Sequence, residues 1–220
     1  MKYRSVFDII GPVMIGPSSS HTAGAARIGR MARTLFGSTP EQADIFFYGS
    51  FARTYKGHGT DVAVVGGVLD FDTFDERLPQ SLTLAKEQGV TVRFSVEETI
   101  TDHPNTVRIR LAAKEKEIEL VGISIGGGKV EITELNGFEL RLSGTQPAIL
   151  VIHKDHFGVI ANVSEKLAKE KINIGHMEVS RKEKGEQALM VLEVDQDITP
   201  SLLRKIEKIT YVTQVSKIHD

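Results

Sequence analysis

Helical and strand periodicities alternate along the first part of the chain. After Ser18-Ser19-Ser20, the residues Ala25, Ile28, Ala32 and Leu35 recur at helical spacing and predict one buried stripe. Arg27, Arg30 and Arg33 share another face, expected to be solvated, and Gly37 supplies a C-terminal stop. Ile45 to Tyr48 reads as a buried strand, and a loop is expected from Gly49 to Gly59. A helix follows from Thr60 to Leu69, and another from Leu82 to Gln88 ends at Gly89.

Beyond this point the period shortens to two. Val107, Ile109 and Leu111 alternate with Thr and Arg, as in a half-buried strand, and Lys114 to Glu117 turns the chain toward Ile118 and Leu120. Gly126-Gly127-Gly128 breaks the pattern as a turn or bulge. Val130 and Ile132 resume it up to Asn136-Gly137, a preferred two-residue hairpin turn, and Phe138, Leu140 and Leu142 carry it back. Ser143 to Pro147 reads as a short polar linker. A second pattern then runs strand, helix, strand, strand, helix, strand. Its parts are Ile149–Ile152, a helix lined by Ile160, Val163 and Leu167, a hairpin of Ile174–Ser180 with Ala188–Val194, a helix capped by Thr199-Pro200, and Val212–Ile218. The fold class expected is α+β, with a mixed first domain over residues 1–142, a linker at 143–147, and a ferredoxin-like βαββαβ domain over 148–220.

The length of 220 residues suits two small domains, and the mixture of 40% hydrophobic and 25% charged residues fits a soluble globular chain. The net charge of −2 comes without a basic block, which argues against a nucleic-acid partner that would need clustered cations on phosphate. The apolar stretch Val6 to Ile15 is interrupted by Asp8 and Gly11-Pro12, so neither a secretory signal nor a membrane span is expected, and the cytoplasm is the default compartment. Cysteine is absent, which excludes disulfides, thiol nucleophiles and cysteine-ligated metal centres within this sequence.

The densest polar cluster is Ser18-Ser19-Ser20-His21-Thr22, where a helix begins. Free first-turn N–H groups reinforced by hydroxyls can seat a carboxylate or phosphate, and a histidine there can move a proton near neutral pH. One capping serine beside two loop serines accounts for the same residues equally well. Arg53 to Thr60 holds His58 between glycines, which suits close approach of a ligand and suits a flexible loop capped at Thr60 no less. Gly126-Gly127-Gly128 lacks the Gly-Lys-Ser/Thr ending of a phosphate loop, and His153 with His156 has no further metal ligands at recognisable spacing.

Four segments occur together and in order: Ile15-Gly16-Pro17-Ser18-Ser19-Ser20-His21-Thr22-Ala23-Gly24, Tyr55-Lys56-Gly57-His58-Gly59-Thr60-Asp61, His103-Pro104-Asn105-Thr106 and Ser124-Ile125-Gly126-Gly127-Gly128. In these the first domain resembles bacterial iron–sulfur-dependent L-serine dehydratases (L-serine ammonia-lyases). Its fold is then expected to resemble the allosteric substrate-binding domain of some phosphoglycerate dehydrogenases, and the second domain to be similar to the ACT module. Single-chain members of the family continue into a catalytic domain whose cysteines hold the cluster. With no cysteine and a sequence ending after the ACT-like part, the resemblance implies the beta subunit of the two-subunit form, inactive alone. An alpha subunit is the expected partner and carries the 4Fe-4S cluster on its cysteines; none is bound by this chain alone. The implied reaction converts L-serine to pyruvate and ammonia, with an open iron site acting as Lewis acid on the hydroxyl.

The resemblance also assigns roles. His21 is expected to act in proton transfer or substrate binding, with Ser18, Ser19, Ser20 and Thr22 holding the carboxylate or shaping the pocket. His58, Gly59 and Thr60 are secondary candidates. In the ACT-like part, Gly158, Asn173 and Ile174 mark the expected effector loop. The usual Asp-x-Pro-Gly is replaced there by Asp155-His156-Phe157-Gly158, so a structural role or homodimerisation competes with effector binding. A rival reading takes the whole chain as a non-catalytic amino-acid-sensing module related to phosphoglycerate dehydrogenase regulatory domains.

Overall fold

The structure, a computed structural model, describes residues 13–218; the part of the apolar stretch before Val13 lies outside them. Two compact units divide between Asn136 and Gly137.

In the first unit, the Ser18–Ser20 segment enters a wide π-type turn, Ser19–Ala23, that runs directly into helix α1, Gly24–Phe36. Strand β1 (Gln42–Phe47) is followed by a six-residue helix α2 (Gly49–Thr54), helix α3 (Thr60–Val68) and helix α4 (Ser81–Glu87). Then come β2 (Thr91–Val96), β3 (Thr106–Ala113), β4 (Lys116–Gly126) and β5 (Lys129–Leu135). These strands lie in the order β2-β1-β3-β4-β5, with β1 and β2 parallel and the other pairs antiparallel.

Helix α1 lies on the sheet, with Ile28 over Gly122 of β4, and crosses α3 at backbone contact. A Cβ on Gly67 would stand 2.0 Å from the Ala26 carbonyl oxygen, and one on Gly29 2.2 Å from that of Val64, so glycine is required on both sides of the crossing. The buried stripe of α1 contains Ala25, Ile28 and Ala32 as predicted, but continues through Met31 and Phe36; Leu35 is only half-buried. The arginine face is engaged rather than solvated. Arg27 donates to the Gly128 carbonyl (2.8 Å), Arg30 pairs with Asp70 and Asp72, and Arg33 donates to Thr39.

Two elements depart from the sequence reading. The expected Gly49–Gly59 loop contains α2, which has no side-chain cap and is fixed instead by Ser50 N–H donating to Pro104 O (2.6 Å). Strand β2 has no counterpart in the sequence pattern: it is an edge strand whose positions are exposed or half-buried, so its hydrophobic signal is weak.

The second unit comprises β6 (Phe138–Leu142), β7 (Ala148–Lys154), α5 (Val159–Lys169), β8 (Ile174–Arg181), β9 (Gln187–Val194), α6 (Pro200–Glu207) and β10 (Val212–Ile218). Its four-stranded antiparallel sheet has the order β10-β7-β9-β8, the arrangement of a βαββαβ unit. Both helices share one core with it, where Val163 and Leu167 of α5 and Leu202 and Ile206 of α6 meet Ile149, Val151, Met190 and Leu192. Thr199 caps α6 by accepting from Leu202 N–H, with Pro200 in the first turn. Strand β6 packs on β8 and β9, and Ser143, within the expected linker, donates through both N–H and Oγ to Glu193. The chain is thus α+β throughout, with two sheets and a C-terminal ferredoxin-like unit.

Candidate active site

The four motif segments, far apart in sequence, are joined by hydrogen bonds in the first unit. The core of the cluster is the π-type turn. Ser18 Oγ accepts from His21 N–H (3.1 Å), while Thr22 N–H and Ala23 N–H both donate to the Ser18 carbonyl (2.9 and 3.4 Å). The extra residue in this turn widens it, a distortion often met at functional sites. The capping role of Ser18 and its place in the cluster are therefore one arrangement, not alternatives.

His21 is half-buried and engaged at both ring nitrogens. Nε2 lies 3.1 Å from Ser50 Oγ and Nδ1 lies 3.4 Å from Ser18 Oγ. Its ring meets Phe51 edge-on at 5.2 Å and stands 5.0 Å from the His58 ring. Burial holds the His21 pKa below the usual 6.5, and positive charge on His58 lowers it further. A neutral imidazole at physiological pH, able to accept a proton, is the consequence.

Thr22, buried, donates through Oγ1 to the His58 carbonyl (3.3 Å), which ties the π-type turn to the start of α3. His58 itself is exposed, and Gly59, in the left-handed region at φ 65°, begins α3 with open space beside it. Thr60 is fully buried, and its Oγ1 has no hydrogen-bond partner. The starts of α1 and α3 thus meet near His21, and both N-terminal dipoles favour an anion there.

The third and fourth segments form the support. Asn105 and Ser124 exchange two bonds, Ser124 N–H to Asn105 O (3.0 Å) and Asn105 Nδ2 to Ser124 O (3.3 Å). Ser124 Oγ, fully buried and unpartnered, fills the place that a Cβ on Gly24 would occupy; the two would be 2.1 Å apart. The triglycine turn has positive φ at each glycine and lies near Ser20: a Cβ on Gly126 would be 4.0 Å from Ser20 Oγ. His103 lines an open groove of about 500 Å³ with Tyr48 and Arg108, which shares no lining residue with the His21 cluster.

Of the residues singled out in the sequence, Ser18, Ser19, Ser20, His21, Thr22, His58, Gly59 and Thr60 come together. Ser50, Asn105 and Ser124 join them without having been singled out individually. In the second unit, Gly158 starts α5 at φ 86°, whereas Asn173 and Ile174 lie beyond its other end. The 11 residues of α5 separate them by about 16 Å. Asn173 bonds Asp195 and Gln196, and Ile174 packs on the core. Among the described residues no group of three or more His, Cys, Asp or Glu is placed to hold a metal ion, and no helix is long and apolar enough to cross a membrane.

Comparison with known proteins gives the following. The serine dehydratase beta chain family matches residues 5–86, and the ACT domain matches residues 148–210. A protein of Bacillus subtilis (strain 168) described as a probable L-serine dehydratase, beta chain, is 63% identical over 220 residues, covering 100% of both chains. The L-serine dehydratase beta chain of Peptoniphilus asaccharolyticus is 38% identical over 200 residues, 90% of each chain. A D-3-phosphoglycerate dehydrogenase of Bacillus subtilis is 26% identical over 135 residues, 61% of this chain but 26% of that protein.

Proposed function

We propose, from the premise that this chain belongs to the L-serine dehydratase beta chain family, that it is the half of an L-serine ammonia-lyase that binds and deprotonates the substrate together with an alpha subunit. The observation that carries this reading is His21, held between two serine hydroxyls at the meeting of two helix starts, where burial lowers its pKa. The substrate carboxylate would be held by the Ser18–Ser20 hydroxyls and the first-turn N–H groups, with Thr22 and Thr60 shaping the wall and His58 beside the proton acceptor. His21 would accept a proton from the substrate and return it to solvent or product.

This chain's residues do not suit an iron–sulfur cluster, since cysteine thiolates are its usual ligands and the sequence has none. A 4Fe-4S cluster is therefore assigned to cysteines of the alpha partner, and the chain alone would be inactive; the compartment expected for the complex is the cytoplasm. The second unit would serve as an ACT module. Whether Gly158 of one copy and Asn173 with Ile174 of another form an effector site is a matter of homodimerisation, because one chain holds them a helix length apart. The rival sensing-module reading is less favoured: the phosphoglycerate dehydrogenase similarity is distant and partial, whereas two dehydratase beta chains match nearly end to end.

The test is anaerobic co-purification with a cysteine-bearing partner, followed by measurement of pyruvate from L-serine. Activity only in the mixture supports the proposal. Robust turnover by this chain alone, or none in a complex with an intact cluster, counts against it.

A further inference from the structure

We infer that Ser50 is the positioning residue for His21, fixing the plane of its imidazole and deciding which ring nitrogen carries the proton. This rests on the role proposed for His21 but on separate geometry. Ser50 Oγ is the nearer of the two hydroxyls that meet the ring, 3.1 Å from Nε2 against 3.4 Å for Ser18 Oγ to Nδ1.

Ser50 is itself held in place. Its N–H donates to Pro104 O (2.6 Å), and its carbonyl accepts from Thr54 Oγ1 (2.8 Å). The preceding residues are fixed to the same loop. Tyr48 N–H donates to Thr106 O (3.1 Å), and Gly49, at φ 53°, passes so close that a Cβ there would stand 2.6 Å from the Pro104 carbonyl oxygen. The His103–Thr106 segment is anchored in turn by the Asn105–Ser124 pair. A chain of backbone contacts thus delivers one hydroxyl to one edge of the ring, and the buried Phe51, next along α2, meets it edge-on.

The proton count follows from the chemistry of imidazole. A neutral ring has one N–H donor and one acceptor nitrogen. Either Ser50 O–H donates to Nε2 while Nδ1–H donates to Ser18, or Nε2–H donates to Ser50 while Ser18 O–H donates to Nδ1. Ser18 Oγ already accepts His21 N–H, and its ring contact is the longer one, so Ser50 has the greater hold on the balance. Without the Ser50 hydroxyl the Nε2 edge loses this partner, and both tautomer and ring angle loosen.

The full-length chain, labelled in nitrogen isotope and held above neutral pH, gives the direct reading, with His21→Asn used to assign the imidazole nitrogens. The parent should show nitrogen shifts of one dominant tautomer. Ser50→Ala should move them toward the average of two, and Ser50→Thr, which keeps the hydroxyl, should retain the parent pattern. In the reconstituted complex, Ser50→Ala should lower kcat about tenfold, the rate equivalent of one hydrogen bond, with KM within about twofold. Ser50→Thr should restore most of the turnover. Unchanged His21 nitrogen shifts in folded Ser50→Ala overturn the inference, even if turnover falls, because Ser50 would then act other than through His21. Shifts in Ser50→Thr that move as far as those of Ser50→Ala overturn it as well. A His21→Asn complex with normal turnover would sink the role of His21, while the nitrogen shifts still decide whether Ser50 holds the ring.

Discussion

Gly67→Ala tests the helix crossing on which the candidate site is built. In an isolated helix the change would be favourable, since Ala exceeds Gly in helix propensity by about 1 kcal/mol. Here the added methyl would stand 2.0 Å from Ala26 O, 2.6 Å from Arg30 N and 2.9 Å from Ala26 C, all backbone atoms of α1. No rotamer change relieves such a contact, so the two helices must separate and give up packing along their crossing. Overpacking costs about 1–3 kcal/mol, and an immovable obstacle places this case at the upper end, leaving a net destabilisation of about 2 kcal/mol after the propensity gain. Gly66→Ala is the internal control: it adds the same methyl one residue earlier, against the Leu78 and Ser81 side chains, which can move. Urea unfolding of the full chain, followed by circular dichroism, should show a lower midpoint for the first unit in Gly67→Ala than in Gly66→Ala. Equal midpoints, or a Gly67→Ala chain as stable as the parent, would refute the close-crossing argument.

His58→Gln removes a positive neighbour of His21, so the His21 pKa should rise toward 6.5 and the acid limb of kcat/KM in the complex should move to higher pH. The native pKa of His21 is depressed, so its contribution to stability is present above 6.5 and is lost as pH falls through the lowered value; His58→Gln should narrow that window in pH-dependent unfolding. Ser124→Ala deletes a buried hydroxyl that has no partner, so stability should hold or rise by up to about 1 kcal/mol, and a clear loss in denaturant unfolding would mean that the hydroxyl is satisfied. A fragment from Gly137, which keeps β6 on β8 and β9, should fold more stably by circular dichroism than one from Ala148; equal stabilities would assign β6 no role in the second unit.

Long, periodic elements were legible in the sequence because their pattern is set locally. The α1 stripe, the β3–β4 and β8–β9 pairs and the Thr199-capped helix all carried their own signals. Asn136 and Gly137 both take positive φ, 49° and 76°, the backbone conformation for which Asn-Gly is a local signal. Helix α2 was not legible, because its six residues have no cap of their own and are held by Pro104, more than fifty residues away. The same reason hid Ser50. Its bond to His21 spans 29 residues, and a lone serine after a glycine gives no local sign of a partner. The arginines of α1 misled in another way: spacing reveals that they share a face, but not that acidic residues beyond α3 and the triglycine turn come up to meet them.

The central claim is that His21 carries a proton in the reaction of the assembled enzyme, and His21→Asn in the reconstituted complex tests it most directly. Asn keeps a polar side chain and the backbone N–H that Ser18 caps, so the π-type turn, partner binding and the partner's cluster should survive; cluster absorbance and gel filtration check this first. The rate of pyruvate formation at saturating L-serine should then fall by about 10²–10⁴-fold, the usual worth of a general acid–base group. Losing one of the ring's two hydrogen bonds would cost about tenfold and losing both about 10²-fold, so a fall well beyond 10²-fold marks proton transfer. An intact His21→Asn complex that forms pyruvate at close to the parent rate would contradict the account and leave His21 a structural residue of the helix start.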